Sequence, residues 1–323
     1  MAAKEKSAKS SMKSQDFISR FLPFIVLGAL IVVLEIGTGG VLLRPGNLVS
    51  LLNGMFAMMI MAMGGVFVYS AGGMDFSIGG ILGVCMLEII LIVRGGLTPA
   101  NLILSGVTAV ASAVGIGLLN GIIAVKFQLP AMIATMAMST ACRGIIQVAC
   151  QQGDISAPQG YAALDILPVK IIVLVAVVVV FFIIFEKTRY GKQLKAIGGN
   201  PEAARQSGIR VDRLRIIGFM ILGLTCAISA LLVAPRATLI RSTTGTGYEL
   251  DVLIAILLGG IPLTGGPRTR AIGAILGCLI IVILENGLLL MGLTPYMVTL
   301  IKAALFIVMA FVNRERSSRK IVM

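Results

Sequence analysis

The chain has 323 residues, of which 58% are hydrophobic and only 13% charged, with a mean hydropathy of +1.02 and a net charge of +13. A soluble domain carries roughly twice that charged fraction, so the composition excludes a separate soluble domain and predicts a polytopic membrane protein whose surroundings are a lipid bilayer. The basic excess falls where membrane topology needs it, which argues against a nucleic-acid partner.

Residues 1–20 are polar and basic (Lys4, Lys6, Lys9, Lys13, Arg20) and read as a cytoplasmic N-terminal tail. The apolar run from Phe21 to about Leu43 is long for a signal peptide and lacks a clear A-x-A cleavage site, so it reads as a retained first helix. Further apolar segments follow at about 49–70, 78–93, 101–125, 131–150, 167–185, 214–234, 250–264, 271–291 and 295–312. Most lie near the ~20-residue spanning length; 78–93 and 250–264 are the shortest. The expected fold is all-α, with about ten transmembrane helices. The expected organisation is the tail 1–20, a transmembrane domain 21–312 carrying a cytoplasmic loop 187–215, and a second cytoplasmic tail 313–323.

The placement of Lys and Arg tests that count. With the N-terminus inside, the inner segments hold twenty: five before the first span, Lys126, eight in the loop 187–215, Arg268 and Arg270, and four in the C-terminal tail. The outer segments hold five: Arg44, Arg94, Lys170, Arg236 and Arg241. This asymmetry supports both termini in the cytoplasm.

The loop Arg189–Arg215 is the longest hydrophilic stretch between Arg20 and the C-terminal tail. It predicts one short helix. Asn200 suits the N-cap, Pro201 the first helical position and Glu202 the positive end of the dipole. Ala203 and Ala204 favour the helix and Gly208 suits its end. Two glycine-rich breaks interrupt the apolar segments, Gly72-Gly73-Met74-Asp75-Phe76-Ser77-Ile78-Gly79-Gly80 and Gly259-Gly260-Ile261-Pro262-Leu263-Thr264-Gly265-Gly266-Pro267. Broken helices are where transporters present backbone and polar groups to a cavity.

No catalytic constellation is present. The chain has no histidine and no C-x-x-C among its five cysteines, which argues against a transition-metal site. It lacks G-x-x-x-x-G-K-[ST], so it holds no P-loop for ATP.

Several short motifs carry a resemblance, taken in order. They are G-G-M-D-F-S-I-G (72–79), L-N-G (119–121), L-P-A-M-I-A-T (129–135), A-I-G-G-N-P-E-A-A-R-Q-S-G-I (196–209), G-Y-E-L-D (247–251), L-L-G-G-I-P-L-T-G-G (257–266) and E-N-G-L (285–288). Together they resemble the permease subunits of bacterial ABC importers for ribose, xylose and related monosaccharides. Ala131 stands where that family usually has a second proline, and Met74-Asp75-Phe76-Ser77-Ile78 where it usually has Ile-Asp-Leu-Ser-Val.

The resemblance implies a non-enzymatic membrane subunit in the bacterial inner membrane, paired with an identical or related permease. It binds no cofactor itself; ATP and Mg are used by a partner ATPase. It implies that 196–209, with Gly198, Asn200, Pro201, Glu202, Ala203, Ala204 and Gly208, is the helix that docks on that cytoplasmic ATPase. It also implies an extracytoplasmic sugar-binding protein, for which Asp154, Arg236, Arg241 and Asp165 are candidate docking charges or ordinary solvated ones.

Candidate pathway residues are Asn53, Asp75, Asn120, Gln147 and Asn286, polar groups suited either to sugar hydroxyls or to joining helices. Asp75 is suited first to capping the next helix at the cytoplasmic membrane face, with Ser77 helping, and second to a pathway or gating role. Glu35, Glu88 and Glu285 suit pairing with Arg143 or Lys302, an interfacial position, or a proton relay of a secondary carrier. An importer for nucleosides or furanosyl signalling molecules is the rival within the class.

Overall fold

The structure, a computed structural model, describes residues 23–318, with side chains to Phe311. The tail 1–20, the start of the first predicted span at 21–22 and residues 319–323 lie outside the described residues. Helices account for almost all of the order: α1 (Pro23–Gly37), α2 (Pro45–Ser70), α3 (Ile78–Val93), α4 (Pro99–Lys126), α5 (Ala131–Ala149) and α6 (Leu167–Lys187) lead into a polar pair, α7 (Arg189–Gly199) and α8 (Pro201–Gln206). They are followed by α9 (Val211–Val233), α10 (Tyr248–Leu258), α11 (Ala271–Leu290) and α12 (Pro295–Ser318).

Among the described residues, six helices are long and apolar enough to cross a membrane: α2, α4, α5, α6, α9 and α11. The apolar helices α1 and α3, and the apolar part of α12 over Pro295–Phe311, are shorter. At 11 residues, α10 extends about 16 Å, roughly half of a ~30 Å hydrocarbon core. The chain is a multi-pass helical membrane protein.

The core is built around α2. This helix is apolar on every side, as a helix surrounded by others must be, and 17 of its 26 residues are buried. It packs on α9, α11, α6 and α10. Small residues set the closest approaches: Ser229 Oγ of α9 donates to Ala57 O of α2 at 3.1 Å, and Gly64 accommodates Thr225. Around this centre α4, α5 and α6 turn broad apolar faces outward. On α6, Ile172, Val175, Val179, Val180 and Ile183 are exposed at roughly three- and four-residue spacing, a surface that lipid covers.

Two-residue strands β1 (Ile155–Ser156) and β2 (Leu239–Ile240) pair antiparallel, tying the α5–α6 connection to the α9–α10 connection. At the opposite end, Gly266 N donates to Ser70 O at 2.9 Å, so the second glycine-rich break is sewn to the beginning of the first.

Candidate functional site

The hydrophilic loop contains two helices where one is expected from the sequence. The additional one, α7, is amphipathic: Gly191, Leu194 and Ile197 recur at three-residue spacing and are its buried residues, while Lys192, Gln193 and Ala196 face outward or half outward. Gly191 allows the turn out of α6, because a Cβ there would strike Phe185 O. Asn200 then starts α8. Its Oδ1 accepts from Glu202 N at 3.0 Å and Ala203 N at 3.1 Å, satisfying two otherwise free donors. Pro201 occupies the first position, and Gly208 follows with φ +80°. On α8 only Ala204 is buried; Pro201, Glu202, Ala203, Arg205 and Gln206 are exposed.

This pair is fastened to four membrane helices. Lys195 Nζ meets Glu186 Oε2 at 2.6 Å, and Ala271 N donates to Glu186 Oε1 at 2.8 Å, so a single carboxylate links α7 to the first residue of α11. Tyr190 stacks on Phe67 of α2 with ring centroids 5.7 Å apart, and its hydroxyl donates to Leu214 O of α9 at 3.1 Å. Burial pushes the Tyr190 phenol above the usual phenol range. Gly198 rests on Ser70 O and Gly266 N, where the two glycine-rich breaks join. Helix α7 thus touches α2, α6 and α9 directly and reaches α11 through Glu186, by packed contacts and charge-assisted hydrogen bonds. Glu186 and Tyr190 carry no sequence signature; the spacing of Gly191, Leu194 and Ile197 does mark the buried face of α7.

The candidate pathway residues separate into three environments. Asp75 and Asn120 come together: Asp75 Oδ1 accepts from Ser77 N and Ser77 Oγ, both at 2.6 Å, and Asn120 Nδ2 donates to Ser77 Oγ at 2.8 Å. All three are buried. Asp75 thus turns the chain into α3, whose N-cap is Ser77. Asn53 and Asn286 join helices instead. Asn53 lies 3.5 Å from Lys170 Nζ of α6, and Asn286 Oδ1 accepts from Asn47 Nδ2 at 2.7 Å. Gln147 is exposed on α5.

The apolar-segment acids all have partners. Leu43 N donates to Glu35 Oε2 at 3.1 Å in the turn after α1, and Ser112 Oγ donates to Glu88 Oε2 at 2.7 Å between α3 and α4. Lys302 of α12 meets Asp251 at 2.7 Å and Glu285 at 3.3 Å. A cavity of about 210 Å³ opens beside Gly72, Gly73, Pro130 and Arg215, but apart from Arg215 its lining side chains are apolar. Among the described residues, no three His, Cys, Asp or Glu side chains gather as a metal site.

At the β1–β2 end, Arg241 Nε meets Asp154 Oδ2 at 3.2 Å, with both side chains largely exposed, and Arg236 is exposed nearby. Asp165 pairs with the buried Lys170. The connection from Arg241, counted among the outer segments, to the predicted span 250–264 does not stay at that end. It descends beside α3: a Cβ on Gly79 would collide with Gly245 O, and one on Gly83 would lie 2.7 Å from Thr244 O. Gly83 is ten residues, about 15 Å, below the end of α3 at Val93. The start of α10 therefore sits inside the protein, where Arg143 of α5 meets Glu249 at 2.7 Å and contacts Thr246 Oγ1.

These features define a polytopic helical transport subunit: a glycine-packed membrane bundle with one polar, capped helix pair projecting from it. A family profile described as branched-chain amino acid transport system / permease component matches residues 47–310, and the chain belongs to that family. It is similar to the ribose import permease protein RbsC of Bacillus subtilis, 31% identical over 306 residues, 92% of this chain and 93% of that protein. RbsC of Escherichia coli is 30% identical over 280 residues, 84% of this chain and 86% of that protein. The galactofuranose transporter permease protein YtfT of Escherichia coli is 28% identical over 288 residues, 84% of this chain and 80% of that protein. No solved structure matches the chain.

Proposed function

We propose that the chain is the membrane-spanning subunit of an ATP-driven importer for a monosaccharide, a pentose or hexose. Two permease subunits enclose the pathway, and the termini and the α7–α8 pair lie in the cytoplasm of a bacterium, with the chain in the inner membrane. All ten apolar helices take part in the membrane domain, with α10 entering from within it. A partner ATPase binds and hydrolyses ATP with Mg, and a binding protein delivers the sugar to the end bearing Asp154, Arg236 and Arg241. The relatives named for ribose, similar along most of the chain, favour a sugar over the amino acids in the family's description.

The observation that carries this reading is the contrast within the helix pair. Helix α7 packs its buried face against α2, α6 and α9, while α8 offers Pro201, Glu202, Ala203, Arg205 and Gln206 to a partner. Exposed side chains on a short, capped helix suit docking, and the buried half suits transmission. The test is uptake of radiolabelled D-ribose, L-arabinose and D-xylose by cells making the chain with its ATPase and binding protein. Glu202→Lys is expected to leave the protein in the membrane fraction, while uptake and co-purification of the ATPase fall at least ten-fold. Uptake and co-purification at the unmutated level would count against α8 as the docking element.

A further inference from the structure

Helix α5 has one packed face and two unlike flanks. Ala134, Thr135, Ser139, Cys142 and Ile146 are buried against α3 and α4. At about 100° per residue, Thr140, Arg143 and Gln147 fall within about 60° of arc on one flank, polar along the C-terminal half of α5 beyond the exposed Met136 on the same arc. The other flank carries Ala137, Ala141, Ile145 and Val148, all exposed and all apolar. Only the second flank is suited to lipid. Thr140 Oγ1 donates to Met136 O at 3.0 Å within the helix, but a guanidinium and a carboxamide on a spanning helix face water or protein, because hydrocarbon solvates neither.

Arg143 stands about 18 Å along α5 from Ala131, well inside the helix. It does not reach along the helix for an interface but turns to the oxygens of Thr246 and Glu249. The descending segment adds Ser242, Thr243 and Thr246, all exposed. Glu249 Oε2 is buried with no hydrogen-bond partner among the described residues. Donors, acceptors and hydroxyls thus gather at the interior end of α10, bordering a side that this chain leaves uncovered.

We propose that the Thr140–Arg143–Gln147 flank of α5 and the segment Arg241–Glu249 form one wall of a water-filled pathway. A second copy of the chain closes it, and the Arg143–Glu249 pair supplies a donor fork and an acceptor to the hydroxyls of a passing sugar. The sugar contact rests on the reading of the chain as a monosaccharide permease. A two-fold relation sets the same flank opposite itself, so that no polar residue of the stripe meets lipid. Guanidinium donors and a carboxylate acceptor together match the vicinal hydroxyls of a sugar ring.

The wall is tested without any sugar. Single cysteines at Gln147 and Ile145 are introduced into a Cys150→Ala background, and the importer assembled with its ATPase is placed in lipid nanodiscs. A charged, water-borne methanethiosulfonate is expected to modify Gln147→Cys at least ten-fold faster than Ile145→Cys; equal rates overturn the wall. Native mass spectrometry is expected to count two copies of the chain per importer, and one copy overturns its closure by a second.

The sugar contact is read separately by D-ribose uptake. Glu249→Gln and the charge exchange Arg143→Glu with Glu249→Arg are each expected to lower uptake at least ten-fold. Restoration of full uptake by the exchange shows a brace between helices and overturns the contact. Absence of D-ribose, L-arabinose and D-xylose uptake by the unmutated importer, with the cysteine rates unequal, would overturn the sugar reading and leave the wall standing.

Discussion

Gly198 offers the sharpest perturbation of the link between α7–α8 and the membrane helices. An added Cβ would lie 2.5 Å from Gly266 N, with Ser70 O closer still. Ordinary carbon contacts begin near ~3.4 Å, so α7 or the backbone it rests on at Ser70 and Gly266 must shift by more than about 1 Å. Such overpacking costs about 1–3 kcal/mol. If the shift breaks the 2.9 Å bond from Gly266 N to Ser70 O, about 1 kcal/mol more is lost. That is too little to unfold a protein whose core surrounds α2, yet enough to change the seating of the α7–α8 pair. Gly198→Ala is therefore expected to insert normally and to lower sugar uptake at least five-fold, while ATP hydrolysis by the assembled importer persists. Gly199→Ala is the matched control, since its Cβ would meet only Pro267 side-chain carbons at 3.4 Å and beyond. The assay is uptake and ATPase activity measured on the same preparation in nanodiscs. Equal defects in the two variants, or full uptake by Gly198→Ala, would refute the steric argument.

Three further outcomes are expected. Lys302→Met leaves Asp251 and Glu285 facing each other in a half-buried site and should destabilise the protein by about 3–5 kcal/mol, read as a lower unfolding temperature in detergent. The exposed pair Arg205–Asp212, 2.6 Å apart, should contribute under about 1 kcal/mol, so Asp212→Asn should leave that temperature within error. Asn200→Ala removes the acceptor for Glu202 N and Ala203 N and should loosen α8 by about 1 kcal/mol, seen as faster amide exchange over 201–206 with the membrane helices unchanged.

What was legible in the sequence was local. The apolar segments, the cap at Asn200 and the proline after it depend on neighbours within a few positions, and the structure has helices and a cap at those places. The pairing of Lys302 with Glu285 was open among several choices because 17 positions separate them across a turn. What stayed hidden were long-range meetings. Asn120 reaches Ser77 across 43 positions, and Arg143 reaches Glu249 across 106. The descent of 241–249 into the protein depends on two glycines of α3 that receive it, and no periodicity within 241–249 encodes that. The amphipathic face of α7 was readable at 191, 194 and 197, but in a basic loop its polar residues dominate the pattern.

The closest helix contacts in this bundle are made by atoms that side-chain truncation cannot remove. At Gly117 and Gly223, α4 and α9 meet backbone to backbone, and at Gly277 the backbone of α10 fills the space a Cβ would need. Alanine scanning ordinarily reads a contact by subtracting it. Here the same substitution adds matter, so the map it returns is inverted. The glycines at these seams should be the least tolerant, while the bulky outward residues of α6 should accept almost any apolar exchange. Directed evolution of this chain for altered transport has its free positions on the outer and wet faces, and its fixed ones along seams where nothing can be cut away.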